Sequence, residues 1–159
     1  MNLLRRLRIH WEERALAALD WLAARRGNEQ LPAHLATGLK GEDAAFFYLR
    51  RKGYTVVARR WSPGTEPGDI DLIAWQGPIL CFVEVKTRTA HDRSPAEAAV
   101  DDHKRRMLRS LARHYVRQLP GEGWPPLRFD IVSVYLVPGQ AKEFLHFEDA
   151  FDLQAGAMN

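Results

Sequence analysis

The stretch that most constrains this chain is Asp69 to Thr87, where two apolar runs flank Gln76-Gly77-Pro78 and each carries charged residues at alternate positions. Runs of this length, rich in Ile, Leu, Val and Phe and separated by a Gly-Pro turn, read as the two arms of a hairpin. Side chains alternate along a strand, so Asp69 and Asp71 share one face of the first arm, and Glu84 and Lys86 share one face of the second. The hydrophobic pattern then sets the register. A loop from Gln76 to Ile79 pairs Trp75 with Leu80, placing Asp71 opposite Glu84 and Asp69 opposite Lys86. On the reverse face Ile70, Leu72 and Ala74 meet Val85, Val83 and Cys81, all apolar. A loop one residue shorter would turn the acids of one arm into the core.

Two directly opposed carboxylates repel each other and destabilise a sheet unless a cation lies between them. Hard divalent ions such as Mg²⁺ or Mn²⁺ accept one or two carboxylates together with water and phosphate oxygens, and suit such a pair. Lys86 would contact a phosphate or position an attacking water. The competing reading is a surface acid-base ladder in which Asp69 and Lys86 form an exposed salt bridge. Zinc is disfavoured: the six histidines form neither an HxH nor an HExxH spacing, and the one cysteine, Cys81, sits in the apolar run Ile79 to Val83 as a core residue.

Around the hairpin the chain reads as one α/β domain. A helix is expected from Gly41 to Lys52, stopped by Gly53, with Glu42 in its first turn and Ala45, Phe46 and Leu49 on the same face. Such a glutamate could equally be a surface residue favoured by the helix dipole. Tyr54 to Trp61 reads as a strand, and the following loop to Gly68 holds two prolines and two glycines. A second helix is expected from Asp101 to Leu119, with Asp101 or Asp102 as N-cap, and Ser94 to Glu97 resembles a capping box. Strands follow at Leu127 to Val137 and, more briefly, at Phe144 to Phe147. Residues 3–26 carry an amphipathic helical stripe, and 28–37 read as a linker. The expected division is an N-terminal helix and linker over 1–37, a domain over 38–151 and a tail over 152–159.

The net charge of +3 is unevenly spread. Residues 50–60 carry +5 with no acid, 101–118 carry +4, and 138–159 carry −3. Two basic runs beside an acidic site suggest phosphate binding, with Arg50, Arg51, Arg59, Arg60, Arg88, Lys104, Arg105 and Arg109 as the contacts. Each run taken alone also fits a solvated face. The first 30 residues hold no apolar segment long enough to span a bilayer, and no disulfide pair exists, so a cytoplasmic setting without membrane contact is expected.

Asp71 followed on the next strand by Glu84-Val85-Lys86, after a helix carrying Glu42, resembles the PD-(D/E)xK nuclease superfamily. Gly41-Glu42, Gly53-Tyr54, Gly68-Asp69-Ile70-Asp71-Leu72-Ile73-Ala74, Phe82-Val83-Glu84-Val85-Lys86-Thr87-Arg88 and Lys104 are similar to the YraN-like family of predicted bacterial endonuclease-fold proteins. The similarity spans about residues 38–151 and leaves the first helix outside. It implies a restriction-endonuclease-like αβββαβ core, a mixed sheet flanked by helices, and kinship with archaeal Holliday-junction resolvases. It also implies Asp71 and Glu84 as metal ligands, Lys86 as a catalytic base-like or charge-stabilising group and Glu42 as an auxiliary ligand. Family members usually carry glutamate where this chain has Asp69. Two functions follow as expectations: a Mg²⁺- or Mn²⁺-dependent nuclease acting on structured DNA, or a non-catalytic nucleic-acid-binding module on the same fold. Monomer and homodimer are both compatible with the sequence.

Overall fold

The computed structural model describes residues 32–91 and 100–153. The expected N-terminal helix, residues 28–31 of the expected linker and the Ser94 to Glu97 capping box lie outside the described residues. Within them the order is α1 (Ala33–Arg51), β1 (Thr55–Trp61), β2 (Ile70–Gln76), β3 (Ile79–Arg88), α2 (Asp102–Val116), β4 (Leu127–Tyr135) and β5 (Glu143–Phe151).

The five strands form one sheet in chain order. All neighbours are antiparallel except β3 and β4, which run parallel from Leu80↔Leu127 to Arg88↔Tyr135. A parallel pair needs a long crossover, and α2 lies within it. The helices cover opposite faces of the sheet. Leu108, Leu111, Ala112 and Val116 of α2 pack with Ile73, Leu80, Phe82, Phe129 and Ile131. Ala44, Ala45 and Leu49 of α1 pack with Leu72, Ala74, Cys81, Val83, Val85, Val132 and Val134. Strand residues therefore alternate between two buried clusters, which is why β3 and β4 read as nearly continuous apolar runs. Burial pushes the Cys81 thiol up to about 11, as befits a core residue.

Two elements run further than the sequence expectation. Helix α1 begins at Ala33, so the expected linker gives way to helix after Pro32, whose carbonyl accepts from the N–H groups of Leu35 and Ala36. Glu42 consequently lies mid-helix and not in the first turn, which removes the dipole explanation for it. Strand β5 is longer than expected because a bulge opposite Phe129 to Ile131 carries it on to Phe151. Asp149 sits in that bulge with φ +54°, and its N–H is donated to Asp130 Oδ1 at 3.1 Å. No helix among the described residues is long and apolar enough to cross a membrane.

Candidate active site

The β2–β3 turn is tighter than expected, with Gln76 paired to Ile79 around Gly77-Pro78, yet the register is the expected one, since Trp75 faces Leu80 and Leu72 faces Val83. Lengthening both strands by one residue leaves the pairing sum unchanged. The regular register runs to Leu72↔Val83. At the following step the Val85 N–H is donated to the side chain of Asp71, with Oδ2 at 2.7 Å. A carboxylate thus meets the β3 backbone beside Glu84. Ile70, expected to accompany Leu72, instead joins the α2-side cluster and pairs with Trp61 of β1. Strand β2 departs from strict alternation where Asp71 turns to β3.

Glu84 is 4% exposed. A buried carboxylate requires compensation, and two ammonium groups supply it. Lys86 Nζ donates to Oε1 at 3.0 Å, and Lys104 Nζ, from the first turn of α2, lies 3.1 Å from Oε2. The α2 cap fixes where Lys104 starts: Asp101 accepts the Lys104 N–H at 2.8 Å through Oδ1, which settles the N-cap in favour of Asp101. Lys86 therefore pairs with Glu84, where the competing ladder reading had paired it with Asp69.

Burial, joined by repulsion from Glu84 and Glu42, pushes the Asp71 carboxyl up to about 7. The Val85 N–H and the Lys104 charge oppose that rise. Glu42 is close enough to be felt at Asp71, but its Oε2 is held by Arg60 Nε at 2.5 Å. Among the described residues no three His, Cys, Asp or Glu side chains are grouped to hold a metal ion. The acid pair of Asp71 and Glu84 fits a hard ion that draws its remaining ligands from water and phosphate, the usual habit of Mg²⁺. Glu42 in this arrangement is committed to Arg60.

Close packing fixes α1 against the lysine end of β3. A Cβ added to Gly41 would stand 1.8 Å from Thr87 Oγ1 and 2.8 Å from its Cβ. Only glycine allows that approach, one residue from Glu42 and one from Lys86. On the other side, the loop leading into Asp71 is tied to α2. Glu66 accepts from Ser110 Oγ at 2.7 Å, and a Cβ on Gly68 would meet Met107 Sδ at 2.2 Å.

The expected phosphate contacts are dispersed. Arg59 is ion-paired with Asp43 and Arg60 with Glu42, so α1 supplies the acids that residues 50–60 lack. Arg50 and Arg59 also lie over the Phe46 ring, at 5.3 and 5.0 Å. Arg105 donates to the Val100 carbonyl at 2.9 Å and Arg109 to that of Asp152 at 2.7 Å, while both guanidinium groups lie over Phe151. Each retains further donors, since a guanidinium has five N–H groups. Lys104 belongs to the acid site. Arg51 and Arg88 are partly buried, Arg51 near the end of α1 and Arg88 at the end of β3.

A second polar cluster lies on the α1 side of the sheet. Asp130 is fully buried and accepts from Arg128 Nε at 2.9 Å and Nη2 at 3.2 Å, and its Oδ2 is 2.9 Å from His146 Nε2. Arg128 also donates to Tyr54 Oη at 2.7 Å and pairs with Glu148 at 3.1 Å. The sequence reading missed this cluster. Its signal was the alternation of Arg128 and Asp130 in a strand whose other residues, Ser133 apart, are apolar or aromatic.

With this geometry fixed, the family can be assigned. The model of the uncharacterised protein family UPF0102 matches residues 41–134, from the close-packed glycine of α1 nearly to the end of β4. The chain belongs to UPF0102. It is 55% identical to a UPF0102 protein of Koribacter versatilis over 105 residues, covering 66% of this chain and 72% of that one. A UPF0102 protein of Solibacter usitatus is 50% identical over 108 residues, 68% and 81% of the two chains. One from Porphyromonas gingivalis is 40% identical over 121 residues, 76% and 87%. The YraN-like resemblance read from the motifs is thereby borne out, and the UPF0102 match includes Gly41, Glu42, Asp71, Glu84, Lys86 and Lys104.

Proposed function

We propose that this UPF0102 protein is a divalent-metal-dependent phosphodiesterase acting on nucleic acid, with a restriction-endonuclease-like core. The observation that carries the reading is the contact between Asp71 and the β3 backbone at Val85, which puts a second carboxylate beside buried Glu84 and its lysine. Two acids that repel each other in a water-poor site are a poor structural device and a good cation site. A bound Mg²⁺ or Mn²⁺ would supply charge neutralisation at the phosphate and a water of lowered pKa. Asp71 and Glu84 would hold that ion. Lys86, bonded to Glu84 Oε1 and partly exposed, would place its charge where negative charge grows on the phosphate oxygens.

The five-stranded mixed sheet with a helix on each face accords with the fold implied by the family resemblance. No base-reading motif is present, so recognition through phosphates and the shape of the nucleic acid is the natural mode, with structured DNA as the preferred substrate. A specific observation favours the binding-module alternative: both Glu84 oxygens already meet lysines. The deciding experiment is a cleavage screen of branched, single-stranded and duplex DNA and of RNA with Mg²⁺ or Mn²⁺, beside Glu84→Gln and Lys86→Ala. Metal-dependent cleavage that both substitutions remove supports the enzyme. Binding without cleavage under every condition leaves the binding module.

A further inference from the structure

The two lysines on Glu84 are not equivalent. Lys86 is two residues away on the same strand and makes an aligned hydrogen bond to Oε1. Lys104 reaches across from α2, and although its Nζ is 3.1 Å from Oε2, that oxygen has no aligned donor among the described residues. Oε2 is thus fully buried, charged and matched by a cation only through proximity. The Lys104 backbone is pinned by the Asp101 cap, so any movement of its charge must come from the flexible four-carbon side chain.

We propose that Lys104 is a tethered counter-ion that occupies the cation position beside Asp71 and Glu84 and yields Glu84 Oε2 when a divalent ion binds. This rests on the metal-centre reading above and adds to it an internal competitor. The Lys104 charge acts on Asp71 as well as on Glu84, as a group standing in for a shared cation should. Without such a charge, buried Glu84 and half-buried Asp71 would lie beside each other with Lys86 alone to offset them. Once displaced, the ammonium remains tied to α2 at the edge of the site, where it can meet the phosphate that accompanies the metal. The role first read for Lys104, a phosphate contact, becomes the second half of an exchange.

The test titrates Mn²⁺ alone into the whole chain, followed by calorimetry and by loss of the free-ion spin-resonance signal. Lys104→Met keeps the apolar stem and removes the charge. It should tighten Mn²⁺ binding about tenfold, the scale on which one nearby charge alters a carboxylate's affinity for a proton. Asp71→Asn and Glu84→Gln should remove that binding in both backgrounds. Unchanged or weaker binding in Lys104→Met, with both acids still required, overturns the exchange and leaves the metal centre intact. Binding that survives both acid substitutions, or no binding by either Lys104 form, overturns the metal centre and the exchange with it. A second measurement needs no metal. In chelator, Lys104→Met should lower the melting temperature of the wild type but not of Glu84→Gln, and equal lowering in both backgrounds overturns the counter-ion role.

Discussion

Glu84 and Asp130 are buried carboxylates on adjacent parallel strands, and the sheet treats them in opposite ways. Asp130 receives two bonds from Arg128 and one from the Asp149 N–H, and lies against His146, so both its oxygens are bonded twice over. Glu84 faces a second carboxylate, and one of its oxygens meets only a loosely aligned lysine. The Asp130 carboxylate is fully bonded, although the far ring nitrogen of its neighbour His146, Nδ1, is buried without a partner among the described residues. A satisfied carboxylate rigidifies a core, whereas an unmatched one can still take an external partner. The Asp130 cluster fastens the bulged edge strand β5. In the proposed function, the Glu84 cluster is the one that a divalent ion would complete.

The largest effect is expected at Asp130. Asp130→Ala removes the anion beside the His146 ring and leaves half-buried Arg128 with Glu148 as its only acid partner among the described residues, and should cost about 3 kcal/mol, measured by denaturant unfolding. A loss under 1 kcal/mol would mean that the network is not structural. Next comes catalysis: Glu84→Gln or Lys86→Ala should reduce metal-dependent cleavage by about 10²–10³ while leaving the unfolding midpoint far less changed than Asp130→Ala does. If cleavage and stability fall together, the two clusters differ in nothing that matters.

Gly41→Ala should destabilise by about 1–3 kcal/mol through its overlap with Thr87, and should lower cleavage by displacing the end of β3 that carries Lys86. Wild-type stability in that variant would show that α1 can retreat freely. A smaller effect, with a sign of its own, is expected at Asp71. Its folded carboxyl titrates near 7, above the ordinary carboxylate value, so the stability it contributes is present in acid and lost as pH rises through about 7. Asp71→Asn keeps an acceptor for the Val85 N–H and should stabilise the metal-free chain at pH 8 by on the order of 1 kcal/mol, with little effect at pH 4. Melting curves at the two pH values read this directly, and a gain at pH 4 instead would reverse the argument. Smallest is Tyr54→Phe, which removes the hydroxyl between Arg128 and Glu148 and should cost about 1 kcal/mol.

What the sequence by itself determined was local and periodic. Alternation along Asp69 to Thr87 was enough to pair Trp75 with Leu80 and Leu72 with Val83, because a slip of one residue would bury the wrong face of a whole strand, but it did not carry through to Ile70, which joins the α2-side cluster. The same argument was available for Arg128 and Asp130 and would have exposed the second cluster. Element order followed for the same reason, while the start of α1 did not, since helix ends are set by packing and caps as much as by composition. Tertiary structure alone decided where charge goes. The basic run at 50–60 meets Asp43 and Glu42 of α1, Arg109 is turned to the backbone at Asp152, and Lys104 crosses from α2 to Glu84. Hydrophobic periodicity repeats within a few residues and is visible along the chain, but a charge finds its partner through space, among residues that only the folded sheet brings near.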